Sequence, residues 1–427
     1  MLSMVCCMSA RAADHDSLNH IGFALHLMPG KVVKMDSWQR LWQKKTATTS
    51  IAAEVTYTPQ PADSSAFARD YGYPTFAYGL KLSLNDVTMH RSPHPAWGLA
   101  EEVDYDSRLG NIVTAYGTFT RPWLRSGRWT FDYMLGAGIG WGKHKYSKGN
   151  NIDNELTGSR FLIYFTAGTH AVFRVADHWG LKAGVEFYHH SNGALNRPNK
   201  GANVIGPMAG LVYQSGRKST SSLSLREGSL DSFGNESNVV KSKGIYSRKN
   251  AEESGLFGSV SMGVGGKTLN EDWQLTQFRT PPDSARYRTG RFRFYTAYSA
   301  QADLMYRYAR RWASGIGADL FYGTYADRVK ELEGQGGAKV SPWSVGVAVK
   351  HNAYYGRLSV NMSLGYYLYR HMGTNAKTIE KPYYERIGVF YAFPRLGGLS
   401  VGASVKAHLT KADLTEVVVS YPIRSRR

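Results

Sequence analysis

Apolar and polar residues alternate with a period of two in short runs along much of this chain. In "RWTFDYMLGAGIGWG", Trp129, Phe131, Tyr133, Leu135, Ala137, Ile139 and Trp141 fall on one face. Arg128, Thr130, Asp132, Met134 and three glycines fall on the other. "RLSVNMSLGYYLY" repeats the pattern, with Leu358, Val360, Met362, Leu364, Tyr366 and Leu368 against Arg357, Ser359, Asn361, Ser363 and Gly365. Side chains of a strand point alternately to its two faces, so such runs predict strands with one greasy side. No stretch reaches the roughly 18 apolar residues of a membrane-crossing helix. Barrel strands cross a membrane with only half their residues apolar, and aromatics near their ends suit an interfacial girdle.

Runs of this kind predict strands near 20–28, 49–58, 74–86, 111–121, 128–141, 160–175, 179–191 and 202–214. A second set falls near 256–265, 291–307, 312–324, 343–350, 356–369, 383–393, 398–408 and 412–422. Each half has about eight, the even count of a bacterial barrel. Long connections near 87–110 and 142–158 alternate with short ones such as "RPWLRSG" and "VADHWG", as outer loops alternate with inner turns. The fold expected is all-β: a transmembrane antiparallel β-barrel, as two eight-stranded units in tandem, with one sixteen-stranded barrel as the alternative. Residues 18–216 form the first unit, 217–252 a polar linker and 253–427 a second, non-catalytic repeat. The linker, rich in Ser, Lys and Asn, is long for a periplasmic turn within one closed barrel. The repeat is visible where "GLKAGVEFYHHSNGA" from Gly180 aligns with "GLSVGASVKAHLTKA" from Gly398.

Both cysteines, Cys6 and Cys7, lie in the opening "MLSMVCCMSARAADHD". A short apolar stretch and an "ARA" ending make residues 1–17 resemble a secretory leader, although a basic residue near the start is lacking. Cleavage after about Ala12 or Ala13 would leave an exported chain with no cysteine, which suits an outer-membrane barrel. The net charge of +19 suggests an anionic partner such as nucleic acid, acidic lipid or the phosphates of lipopolysaccharide. No zinc-finger spacing, basic heptad or helix-turn-helix pattern is present, so no nucleic acid is expected.

One strand breaks the pattern of the others. In "GLKAGVEFYHHSN" the apolar face of Leu181, Ala183, Val185 and Phe187 continues into His189 and Ser191. With both ends of each half periplasmic, this pair sits at the outer end of strand seven and faces the lipid rim. Residues two apart in a strand share a face, about 7 Å apart at the backbone. A histidine so placed can take the serine proton and make it a nucleophile. Such a base needs a third group to fix its tautomer. A hairpin through "GALNRPNKG" returns Asn203, which shares parity with Ile205, Ala209 and Leu211, beside His189. Asn192 or the Gly193 N–H can donate to an oxyanion. The plainer reading, polar residues at a membrane interface, stays open, and His190 has the parity of a lumenal residue.

The H-x-S-N-(A/G) strand end followed by P-N-x-G resembles the lipid A 3-O-deacylases (acyloxyacyl hydrolases) of the outer membrane. The matching residues are His189, Ser191 and Asn192, then Pro198, Asn199 and Gly201. The resemblance implies an eight-stranded barrel whose His and Ser, at the lipid-facing surface, remove an ester-linked acyl chain. The family's acidic third member falls where this chain has Asn203. The stretch is also similar to outer membrane phospholipase A, a calcium-assisted dimer with an H-x-S-N-G motif and an asparagine twelve residues after the serine.

The function expected is an outer-membrane serine esterase that removes an acyl chain from the lipid A of lipopolysaccharide through Ser191, His189 and Asn203. Arg197 and Lys200 beside the site are candidates to hold lipid A phosphates. No cofactor or metal is expected, calcium entering only if the chain is a phospholipase. The other alternative is a non-enzymatic porin or adhesin barrel. In "KAHLTKADLTE", Ala407 and Leu409 occupy the positions of His189 and Ser191, so the second half reads as non-catalytic. His408, Asp413 and Glu416 then form a lumenal charge network or, less plainly, a metal site. His90 and His94 have no convincing ligand set around them.

Overall fold

The computed structural model of the chain describes residues 21–60, 65–215, 254–378, 380, 382–409 and 411–423. The expected leader and linker lie outside the described residues. The first unit contains β1 (Ile21–Val32), β2 (Ala47–Tyr57), β3 (Thr75–Asp86), β4 (Thr88–Met89), β5 (Ser107–Arg108), β6 (Ile112–Ser126), β7 (Trp129–Gly142), β8 (Phe161–Arg174), β9 (Trp179–Ser191) and β10 (Ala202–Gln214). The second contains β11 (Gly255–Thr268), β12 (Phe294–Ala309), β13 (Trp312–Gly323), β14 (Val340–Tyr355), β15 (Leu358–Met372), β16 (Tyr383–Phe393), β17 (Leu399–His408) and β18 (Lys411–Ile423). Each unit closes on itself, β1 against β10 and β11 against β18, so the chain forms two eight-stranded antiparallel barrels. The sixteen-stranded alternative is excluded. β4 and β5 form a small separate ribbon within the long outer loop of the first barrel.

The alternation resolves as expected into an apolar outside and a polar inside. Leu25, Leu27, Leu80, Leu135, Leu181 and Val185 are exposed on the first barrel, as are Val264, Leu304, Ile316, Val349 and Val417 on the second. Exposed Trp129 and Trp179 mark the inner rim of the first barrel, and Trp141 and Phe161 its outer rim. No helix among the described residues is long and apolar enough to cross a membrane.

Two elements run further than their sequence pattern. "RPWLRSG" reads as a turn, yet β6 continues to Ser126, with its register shifting between Pro122 and Leu124. Proline offers no N–H to a ladder, and an irregularity in the pairing accommodates it. β14 extends at both ends beyond the 343–350 core, to Val340 and to Tyr355.

The lumens are filled. In the first barrel Lys81 bonds Glu186 and the Tyr164 hydroxyl, and Thr166 Oγ1 donates to the same carboxylate. Tyr116 donates to Glu54 at 2.7 Å, and the Nδ1 of His170 lies 3.0 Å from Asp132. In the second, Lys350 lies 2.5 Å from Asp303 and 2.7 Å from Asp319, and Arg386 pairs with Glu416. These charges are opposed in pairs, which is the condition for burying them.

The Lys81 and Glu186 side chains are 3% and 5% exposed, so removing one strands the other. Lys81→Met should destabilise the first barrel by about 3–5 kcal/mol, and Lys81→Met with Glu186→Gln by clearly less. The denaturant midpoint of the heat-modifiable band checks the order. Equal losses would show that the pair does not hold the lumen together.

Candidate active site

The outer end of β9 is where the apolar outside of the first barrel becomes chemical. The ladder pairs His189 with Asn203 on β10 and with Phe165 on β8, and Ser191 with Ile163 on β8. Register alone therefore sets His189 beside Asn203, and their side chains meet: His189 Nδ1 lies 2.8 Å from Asn203 Oδ1. An amide oxygen only accepts, so Nδ1 carries the proton and Nε2 is left with a free lone pair. His189 is half-buried and Ser191 only 6% exposed. The serine hydroxyl accepts from the Gly193 N–H at 3.3 Å. Among the described residues no hydrogen bond joins His189 to Ser191. They share a face of one strand, and contacts of this kind commonly tighten only around substrate.

The turn after Ser191 is held by amide side chains. Asn192 Oδ1 accepts from Gly158 N at 3.1 Å, its Nδ2 donates to Asn196 O at 2.7 Å, and its backbone N–H donates to Asn199 Oδ1 at 2.9 Å. Asn199 Nδ2 returns a bond to Gly193 O. Asn192 thus braces the turn through its amide oxygen, one Nδ2 hydrogen and its backbone N–H, and Gly193 is the backbone donor next to Ser191. Gly193 and Gly201 have φ of 59° and 73°, a region that favours glycine. A Cβ on Gly201 would stand 2.5 Å from His189 Cε1, so this glycine makes room for the imidazole.

The two cations named from the sequence border the same cleft but are already engaged. Lys200 Nζ lies 2.7 Å from Asp36 Oδ2, whose other oxygen accepts from Gln39 N at 2.7 Å and caps the short helix Ser37–Trp42. Burial pushes the Asp36 carboxyl up, but the bonds from Lys200 and Gln39 outweigh it and hold it below its ordinary value. Arg197 Nε donates to Thr268 O at 3.1 Å, across to the second barrel. Burial lowers the Arg197 pKa, opposed by Glu271, Asp413 and Glu380 nearby.

The other histidines named from the sequence have structural partners. His190 is buried in the lumen, its Nε2 2.9 Å from Thr114 Oγ1. His94 Nδ1 accepts from Ala96 N, while His90 lies 3.2 Å from Glu102. His408 lies on the inner face of β17 with Nε2 3.0 Å from the Tyr367 hydroxyl. Glu416 is not its neighbour in a ligand set; it binds Arg386 and the hydroxyls of Ser299 and Ser404. Glu380 takes that place, and ligand atoms of Glu380, His408 and Asp413 lie within 4.8 Å of one another. Lys267 and Lys406 both pair with Asp413, and Arg370 with Glu380, so the charge a cation would neutralise is already met.

What the sequence reading missed is the second barrel's share of the site. The Thr268 N–H donates to Ala194 O at 2.8 Å, and Ala194 N–H to Thr415 Oγ1 at 3.4 Å. The segment 269–293 between β11 and β12 folds over the first barrel's outer loops. There Arg288 Nη2 meets Asp153 at 2.8 Å, and the Phe278 ring stands 5.4 Å from Trp38. A cleft of about 1090 Å³ separates the barrels, lined by His189, Ser191, Arg197, Lys200 and Asn203 and by residues of β15 to β18. No local sequence pattern announces contacts between residues 74 to 221 positions apart, such as Thr268 and Thr415 on Ala194.

Comparisons with known proteins bear on this site. None of the curated proteins compared with the chain matches it. Among solved structures, an outer membrane channel from Pseudomonas putida aligns over 96% of this chain and 99% of its own, at 8% identity and a TM-score of 0.19. OprE from Pseudomonas aeruginosa aligns over 95% and 98%, at 11% identity and 0.23. A mutant porin of Rh. blastica aligns over 94% and 99%, at 7% identity and 0.15. Superpositions this loose carry no conclusion. Two family models, by contrast, divide the chain at the boundary between its barrels. Lipid A 3-O-deacylase (PagL) matches residues 30–212, and the C-terminal domain of acyloxyacyl hydrolase matches 256–425. The first model covers most of the first barrel, including its His189–Asn203 pair, and the second nearly all of the second barrel, and the chain belongs to the outer-membrane lipid A 3-O-deacylase (PagL) family.

Proposed function

We propose that the protein is a serine ester hydrolase of lipid A, with Ser191 as nucleophile, His189 as base and then acid, and Asn203 as the group that orients His189. The observation that carries this reading is the 2.8 Å contact between His189 Nδ1 and Asn203 Oδ1, two residues from a serine on the lipid-facing side of β9. It leaves Nε2 free to take the Ser191 proton once the acyl ester of the substrate draws the two side chains together. Ser191 Oγ attacks the ester carbonyl carbon, and the Gly193 N–H donates to the oxyanion that forms. The tetrahedral intermediate collapses, breaking the bond to the sugar oxygen, which takes the proton from Nε2. Water, deprotonated by His189, then attacks the acyl-enzyme, releasing a fatty acid and restoring Ser191.

The position of the site supports the choice of substrate. Lipid A is anchored in the outer leaflet, so its esters lie at the level of the outer barrel rim, where β9 ends. Arg197 and Lys200 border the cleft and supply positive charge toward the phosphates. Lys200 must exchange or share Asp36 to do so. Asn192 braces the turn with one hydrogen of its Nδ2, and the other makes it the second candidate donor to the oxyanion.

Ser191→Ala and His189→Ala should reduce acyl release from lipid A to background in membranes that retain the folded barrel. Mass spectrometry of lipid A and phospholipids from both strains is the measurement. Unchanged lipid A with altered phospholipid would give the phospholipase reading instead, and no change in either would overturn both. Asn203→Ala should lower the rate by roughly 100-fold, and Asn203→Asp should restore or exceed it, because a carboxylate holds the same tautomer more strongly. Gly201→Ala should abolish activity while the heat-modifiable band persists; retained activity would show that His189 does not depend on the space Gly201 leaves.

A further inference from the structure

The cleft has two walls, and only one belongs to the barrel that carries Ser191. On the first barrel the wall is Ile163, Phe165 and Phe187, the apolar neighbours of Ser191 and His189. On the second it is a single row set by register: Thr415 on β18 pairs with Val405 on β17, Val405 with Ile387 on β16, and Ile387 with Met362 on β15. Thr415 accepts from Ala194 N, so the row begins against the Ser191 turn and leads away from it. Although they line one cleft, Phe187, Ile387 and Met362 remain 38%, 43% and 37% exposed. Ile163, Phe165 and Val405 are half-buried, so the walls approach each other without closing the gap.

They are also prevented from doing so. At the outer end the barrels are fixed by the bonds from Thr268 and Thr415 to Ala194 and by Arg288 on Asp153. At the inner end Tyr355, at the close of β14, sits among first-barrel rings, 4.9 Å from Phe76 and 5.8 Å from Tyr71. Arg311 binds Asp70 O and Arg310 lies 3.7 Å from Asp70. A gap clamped at both ends between two lipid-facing surfaces holds hydrocarbon, because water there would face apolar side chains on both sides.

We infer that this gap is the slot for the acyl chain that Ser191 releases, and that the Val405–Ile387–Met362 row of the second barrel is its far wall and sets the chain lengths accepted. The inference rests on Ser191 being the nucleophile. The occupant is the glycolipid's own acyl chain: its ester carbonyl reaches Ser191 at the head of the slot, and its charged head group lies among Arg197, Lys200 and Lys411 at the rim. The second barrel then contributes to substrate selection while carrying Ala407 and Leu409 where the first has His189 and Ser191.

The test uses the full chain and a series of glycolipid esters differing only in acyl length. Val405→Trp and Ile387→Trp should cut the rate on long acyl chains by about tenfold or more and leave a butanoyl ester unchanged. Ile316→Trp, on the lipid-facing side of β13, should change neither. Unchanged long-chain rates in both slot variants, or equal losses at every length, would overturn the slot. Ser191→Ala separates the two readings: if it is inactive at every length while the tryptophan variants behave as wild type, the nucleophile stands and the slot alone fails. If Ser191→Ala retains hydrolysis, the reading beneath the slot fails.

Discussion

A backbone amide inside hydrocarbon has no water to bond, and this single constraint shapes the rest of the molecule. It forces each set of eight strands to close, β1 on β10 and β11 on β18, so that no ladder edge faces lipid. Closure fixes register, and register fixes which side chains stand opposite one another. His189 meets Asn203 because their backbones are ladder partners, not because either side chain seeks the other. A shift of one residue in that hairpin would send Asn203 into the lumen and leave His189 facing lipid without an acceptor.

The same closure explains why the proposed nucleophile lies outside. Each barrel's interior is occupied by paired charges such as Lys81 with Glu186 and Arg386 with Glu416. An interior filled in this way leaves no room for a glycolipid, and an ester anchored in a bilayer does not enter one. The outer rim of a strand is the place where a protein group and an interfacial ester meet at the same depth. There His189 and Ser191 continue an apolar face that would otherwise end in aromatics.

Much of this was legible in the sequence for a physical reason: the information is local. Period-two alternation located the strands because the lipid face and lumen face impose it residue by residue. The H-x-S-N stretch and the Asn203 parity were readable because one hairpin contains them. Misread features depended on pairing partners that the local pattern does not name. "RPWLRSG" looked like a turn because its proline and glycine said so, but β7 carries β6 past Pro122 by a shift in register. Glu416 looked like a neighbour of His408 and Asp413, but its carboxylate turns to Arg386, and Glu380 comes from another loop instead.

The least legible feature, the second barrel's place beside Ser191, follows from the first constraint. Two closed barrels offer each other no ladder edge, so they can associate only through loops, rim aromatics and outward side chains. That is where their contacts lie: Thr268 and Thr415 on Ala194, Arg288 on Asp153, and Tyr355 among Phe76 and Tyr71. Among the described residues, these rim contacts hold the barrels at a distance instead of drawing their apolar walls together. In a bilayer that spacing costs little, because lipid chains solvate both walls. The cleft beside Ser191 is therefore what remains when two edgeless units are joined at their ends, and its position makes a lipid-sized gap part of the site.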